Sequence, residues 1–325
     1  MARGVCILAV RQVTAFMLIP FSLDMKKQFS LSFYLVAVLL LAAGPLFAQK
    51  QKAKQEKDCG TSCCAAMASG ASNPNVQFAS LASKKEFRRA HMLPRPFTLA
   101  NPIGKMVTIP VAGGAPANAY EIKAEGNSNL YLLVFQEWWG LNDHIKAEAE
   151  RLYNELGKKV NVWALDMYDG KIATTREDAG KYMQGADQAR LQAITKAAVA
   201  AAGANAKIGT IGWCFGGGLS MQASLAAGKQ GVACVIYYGM PELDAAKLAA
   251  LNAPVLNIWP KQDKWINEDM KNKFEAAMKV AGKNLRTEAY EADHAFCNPS
   301  NPKHDKKLTD DANGKAVAFL KEHLK

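Results

Sequence analysis

The chain has 325 residues, half of them hydrophobic, with 24 Gly and 13 Pro, so it is long and apolar enough to bury a substantial globular core. Its formal net charge is +11, but the basic residues are scattered among acids, and no RNP, zinc-finger or helix-turn-helix pattern accompanies them. That distribution excludes a nucleic-acid partner and describes a solvated basic surface.

In chain order, residues 1–24 precede a complete targeting pattern and read as a misassigned start or an extension. From Met25 to Ala48, Lys26 and Lys27 lead into an apolar run that ends on a small residue, the pattern of a secretory signal peptide. The run from Leu31 to Ala43 is shorter than the roughly 20 residues a membrane span needs, so no stable anchor is expected after cleavage. The expected location is periplasmic or secreted. Loss of Arg3, Arg11, Lys26 and Lys27 with Asp24 lowers the net charge to +8.

Residues 49–100 read as a leader or linker, with a charged start, "QKAKQEK", a loop-like "SGASNPN" and a short helix near Leu81–Arg89. Cys59, Cys63 and Cys64 lack the paired spacing and nearby histidines of a zinc site. No metal and no cofactor is expected.

Over residues 101–325 the pattern becomes apolar strands alternating with amphipathic helices, the signature of an α/β fold with a mostly parallel central sheet flanked by helices. Strands are expected at 106–111, 120–123, 131–135, 161–165, 207–213, 233–237, 255–259 and 287–290. Helices fall near 144–156, 187–202, 217–227, 244–250, 266–281 and 310–323.

The stretch "GTIGWCFGGG" places Cys214 between strand and helix. Gly212-Trp213-Cys214-Phe215-Gly216 matches G-x-S-x-G with cysteine for serine, the nucleophile elbow of α/β-hydrolases. Flanking glycines suit a sharp turn, and a helix N-terminus favours the thiolate over the thiol. The Phe215 amide would face a developing oxyanion. A buried structural cysteine in a glycine-rich turn has the same local pattern.

In that fold the acid and the histidine follow the nucleophile, each on a loop after a later strand. Asp263 follows "VLNIWPKQ" and His294 follows "EAYEAD". Asp263 could equally cap the next helix. Asp293 and Asp166 compete as the acid but break the usual order. Glu137 ends the apolar strand "LLVFQ" on the edge where ligand sites form, and Trp138 and Trp139 beside it suggest an apolar wall and a perturbed carboxyl group.

The segments "VFQEWWGLNDHIKAEAERL", "LDMYDGK", "GTIGWCFGGG", "WPKQD" and "EADHAFCNPS" together resemble the dienelactone hydrolase family over about residues 105–325. The resemblance implies Cys214 as nucleophile, His294 as general base and acid, and Asp263 as the group orienting His294. It further implies that Glu137 takes the thiol proton when substrate enters, and that the amides of Trp138 and Phe215 form the oxyanion hole. Dienelactone-hydrolysing members carry arginines where this chain has Gly170 and Asn298, so an anionic lactone is in doubt. Lys171 could supply a looser charge, and Trp139 a pocket wall.

Two functional classes follow: an exported thiol hydrolase of a small ester or lactone, and a non-catalytic small-molecule binding protein on the same fold. The intact Cys214, His294, Asp263 and Glu137 set favours the first. A thiol redox role is a distant third, because no resolving cysteine has C-x-x-C spacing.

Overall fold

A computed structural model describes residues 73–299, 301 and 303–325. The segments 1–24 and 25–48, and Cys6, Cys59, Cys63 and Cys64, lie outside the described residues.

Eight strands form one sheet in the order β1-β2-β4-β3-β5-β6-β7-β8. They are β1 (Lys105–Ile109), β2 (Ala117–Ile122), β3 (Leu130–Phe135), β4 (Asn161–Leu165), β5 (Lys207–Trp213), β6 (Gly231–Tyr237), β7 (Val255–Pro260) and β8 (Leu285–Tyr290). The first three in that order pair antiparallel and the rest parallel, as in Leu133 beside Thr210 and Trp213 beside Tyr237. Strands β5, β6 and β7 are apolar almost throughout because helices cover both faces. The edge strand β8 instead alternates exposed and half-buried residues.

The described helices are α1 (Pro74–Ser80), α2 (Lys85–Ala90), α3 (Asp143–Glu155), α4 (Arg176–Gln184), α5 (Gln188–Ala201), α6 (Phe215–Ala227), α7 (Ala245–Leu248), α8 (Glu268–Val280) and α9 (Lys306–His323). Most begin at a side-chain cap, as where Asn142 Oδ1 accepts from the Ile145 amide. Helix α6 is buried nearly all round, and a Cβ on Gly217 would meet the backbone of Gly239 at 2.9 Å. Only glycine allows that approach. None of the described helices is long and apolar enough to cross a membrane.

The expected strands and the six helices from residue 144 onward are all present, with ends shifted by a few residues. The linker reading of residues 49–100 needs correction in its described part. Asn73 caps α1 with Pro74 at its first position, and the segment holds two short helices, α1 and α2, where one was expected. Phe78 and Phe87 are 1% and 0% exposed, in edge contact with each other at 5.7 Å. Burying two such rings stabilises the strap by several kcal/mol, roughly 1.5–3 kcal/mol each. This strap lies over the C-terminal edge of the sheet.

Candidate active site

Glu137, Cys214, Asp263 and His294 follow β3, β5, β7 and β8 in turn, so the parallel topology delivers all four to one edge of the sheet. Cys214 sits at the N-cap of α6 with φ +57° and ψ −119°, a strained conformation for a residue with a side chain. The turn holds because its neighbours lack side chains: a Cβ on Gly212 would collide with the Gly216 carbonyl, and one on Gly216 with the backbone of residues 135 and 136. The amides of Phe215 and Trp138 both point at the Cys214 sulfur. These are the two donors expected of an oxyanion hole.

His294 Nδ1 lies 2.6 Å from Asp263 Oδ2, and both residues are buried. Asp263 Oδ1 accepts from the amides of Trp265 and Ile266 at 2.8 and 3.0 Å. Asn267, not Asp263, caps the next helix, so the helix-cap reading of Asp263 is corrected: one of its oxygens holds the turn at 265–266 while the other bonds the imidazole. His294 Nε2 is buried with no hydrogen-bond partner among the described residues. The competing acids are engaged elsewhere: Asp293 pairs with Lys303 at 2.6 Å, and Asp166 accepts from the amides of Tyr168 and Gly170.

Cys214 is 1% exposed, and it is free, as are the buried Cys234 and Cys297. Burial, reinforced by the negative charge of Glu137, pushes its thiol well above the ordinary range despite the two amides. The thiolate preference expected from the helix N-terminus alone is thus overridden. Desolvation outweighs the dipole, and the resting group is a thiol. Glu137 keeps some solvent exposure, but its carboxyl group lies among packed side chains, and burial raises its pKa from 4.5 to about 7. Asn298 Nδ2 donates to Glu137 Oε2 at 2.7 Å, partly offsetting that rise.

A cavity of about 440 Å³ adjoins the site, walled by Glu137, Trp139, Trp213, Tyr238, Cys297 and Asn298. Trp139 therefore takes the wall position expected of it. Trp138 and Phe215 are fully buried beneath, with Phe215 stacked between Phe78 and Tyr168. Lys171 does not join them. Its ammonium is exposed, 5.9 Å from the centroid of the Tyr182 ring, so the substrate-binding role suggested for it is corrected to that of a surface lysine.

One residue at the nucleophile was not anticipated. His91, at the end of α2, is 6% exposed and places Nε2 3.8 Å from Cys214 Sγ. Its Nδ1 lies 2.7 Å from the Phe87 carbonyl, so Nδ1 carries the hydrogen and Nε2 accepts from the thiol. Burial first, and the charge of His294 second, drop its pKa from 6.5 to about 3. Phe87 and His91 share one face of α2 at i and i+4. That pairing is the one sequence feature that could have drawn attention to them.

The sequence profile of the dienelactone hydrolase family matches residues 118–324. The chain belongs to that family. It is 31% identical over 208 residues to protein usf of Aquifex pyrophilus, covering 59% of this chain and 88% of that one. It is also 24% identical over 228 residues to carboxymethylenebutenolidase 1 of Cupriavidus pinatubonensis, covering 66% and 95%. Two solved structures share the fold. A dienelactone hydrolase-like promiscuous phosphotriesterase from metagenomic libraries superposes with a TM-score of 0.60 at 20% identity, over 69% of this chain and 100% of that one. A dienelactone hydrolase from Anabaena variabilis gives 0.51 at 18% identity, over 70% and 100%. Asn298 donates its side-chain amide to Glu137, and Gly170 has a φ of +86°, which suits a residue without a side chain.

Proposed function

We propose that this dienelactone hydrolase family member hydrolyses a small neutral ester or lactone by acyl transfer through a thioester on Cys214. The observation that carries this reading is the 2.6 Å bond between His294 and Asp263, on an imidazole whose other nitrogen is open and close to a sulfur that two amides face. That set has the parts of acyl-transfer catalysis, a nucleophile, an oriented base and paired oxyanion donors.

Catalysis begins when the strap moves aside, because Phe78, Phe87 and His91 pack about the nucleophile and leave Cys214 almost no exposure. Glu137, as carboxylate, takes the thiol proton. The thiolate attacks the carbonyl carbon, and the oxyanion forms against the amides of Trp138 and Phe215. Collapse expels the alkoxide, which takes the proton held by Glu137. Water then loses a proton to His294 Nε2 as its oxygen attacks the thioester, and the departing sulfur takes that proton back. Asp263 holds His294 in the tautomer both transfers need.

The neutral preference rests on Gly170 and Asn298 standing where carboxylate-binding arginines are expected. Arg151 reaches the cavity wall, but it is paired with Glu148 and Glu155 at 2.5 and 2.7 Å. We place this activity in the periplasm or outside the cell, on the signal-like sequence of residues 25–48. Amino-terminal sequencing of protein from its native host is expected to begin just after Ala48, and finding Met1 there would remove the export reading. The activity itself is tested by a panel of chromogenic esters and lactones given to the protein and to Cys214→Ala in parallel. Full turnover by the variant would exclude nucleophilic catalysis at this position.

A further inference from the structure

The nucleophile sits among more nitrogen ligands than acyl transfer uses. A ring nitrogen from each of His91 and His294 and the sulfur of Cys214 lie within 4.8 Å of one another, and all three residues are buried. The two histidines are prepared alike. Each anchors Nδ1 on an oxygen, the Phe87 carbonyl at 2.7 Å for His91 and the Asp263 carboxylate at 2.6 Å for His294. Each therefore turns its Nε2 lone pair inward. An outer-shell oxygen on the far nitrogen is how proteins orient imidazoles that bind metal. Among the described residues, His294 Nε2 has no partner, and His91 Nε2 has only the thiol.

We propose that His91, Cys214 and His294 form a site for a divalent cation of the zinc class, which clamps the N-terminal strap onto the nucleophile and arrests catalysis. One thiolate and two imidazoles suit a borderline-soft ion and do not suit magnesium or calcium. Zinc bonds of about 2.3 Å to sulfur and about 2.05 Å to nitrogen, at tetrahedral angles, separate sulfur from nitrogen by about 3.6 Å and the nitrogens by about 3.3 Å. The Cys214–His91 separation of 3.8 Å is already near that value. The remaining distances, all within 4.8 Å, need to close by about 1.5 Å at most, with a water in the fourth position. The ion takes the place of the thiol proton: the S–H bond breaks, the proton leaves to solvent, and the sulfur–metal bond forms. The cation also balances the charge of a buried thiolate that the protein alone does not support.

This site joins two parts of the chain. Two ligands come from the catalytic edge and one from the strap, so metal binding and strap opening exclude each other. Binding is read without any substrate, and its failure is therefore distinct from failure of the ester-hydrolase reading.

The test uses the full chain, freed of metal by chelation and kept reduced with a non-thiol reductant. Titration with Co²⁺ is expected to produce a sulfur-to-cobalt charge-transfer band that saturates at one equivalent and disappears on adding Zn²⁺. Cys214→Ser should abolish the band. His91→Ala should keep a band but weaken Zn²⁺ affinity by more than about 100-fold, since even outer-shell changes cost 10- to 100-fold. A second readout needs no substitution: one equivalent of Zn²⁺ should slow tryptic cleavage at the exposed Lys84, Lys85 and Arg89 at least about tenfold. Absence of the band at one equivalent, equal affinity in folded His91→Ala, or unchanged proteolysis would each overturn the proposal.

Discussion

Asn298 donates to the Glu137 carboxylate at 2.7 Å, so a neutral amide occupies the place where an arginine would bring positive charge to the pocket. Gly170 likewise offers only its backbone, which is turned to Asp166. A substrate carboxylate entering this pocket would lose its hydration and meet only Arg151 and Lys306 as cations, both already paired with carboxylates. Charge-assisted bonds contribute roughly 1.5–3 kcal/mol each, so two missing forks amount to several powers of ten in specificity. A neutral short-chain ester is expected to show a higher kcat/KM than dienelactone, and Gly170→Arg with Asn298→Arg should narrow the gap. Steady-state kinetics on both substrates check it, and a dienelactone preference in the unsubstituted enzyme would contradict it.

Opposed titrations at the site should leave a trace in stability. Burial raises the Glu137 pKa from 4.5 to about 7, so its contribution to folding is complete below about pH 4.5 and is lost as pH rises through 7. The difference corresponds to about 3 kcal/mol. Burial lowers His91 from 6.5 to about 3, so its contribution is complete above pH 6.5 and is lost as pH falls through 3. Between pH 4.5 and 6.5 the two slopes oppose. Urea midpoints should be nearly flat across that window in the unsubstituted protein and should climb with pH in Glu137→Gln. A flat profile in the variant would mean that His91 is not held neutral.

The framework of the domain could be read from the sequence because it depends on local pattern. β4 and β5 are buried apolar runs, and their expected ends match the observed ones. The elbow was legible because glycines at 212 and 216 answer a steric demand visible in five residues. Helix α4 was missed although Thr175 caps it by accepting from the Asp178 amide, a T-x-x-D pattern that a capping search would have caught. The strap was missed for a different reason. Helices α1 and α2 are too short to show periodicity, and what orders them is contact with residues far along the chain, as between His91 and Cys214. The resting thiol was legible only through the family resemblance, because desolvation at Cys214 depends on that same strap.

Loosening the strap should expose the nucleophile. Phe87 is wholly buried against His91, Trp138 and Trp265, with ring centroids 4.2, 5.5 and 5.3 Å apart. Phe87→Ala removes about 3–5 kcal/mol of packing, most of it local to the strap. Alkylation of Cys214 by iodoacetamide, followed by mass spectrometry, is expected to speed up at least about tenfold while the sheet stays folded by circular dichroism. An unchanged rate would show that the strap does not gate the sulfur.

Cys214 and His294 should fail together rather than separately. Each alanine substitution is expected to lower kcat for a neutral ester by at least about a thousandfold, His294→Ala by stalling deacylation, and the double variant should lie within about tenfold of either single one. Asp263→Asn should keep the turn cap through its remaining oxygen but lose the tautomer of His294, a loss of about 100- to 10,000-fold. Additive losses in the double variant would mean that the pair does not act as a unit.

The most direct measurement is to trap the acyl group. Mixing the protein with a slowly deacylating neutral ester, quenching in acid and mapping peptides by mass should find one acyl group on Cys214, accumulating further in His294→Ala, which keeps Glu137 for acylation but loses the base for deacylation. The adduct should be labile to hydroxylamine, as a thioester is. Turnover of the ester with Cys214 unmodified at every time point, or an acyl group carried by another side chain, would contradict acyl transfer through this cysteine.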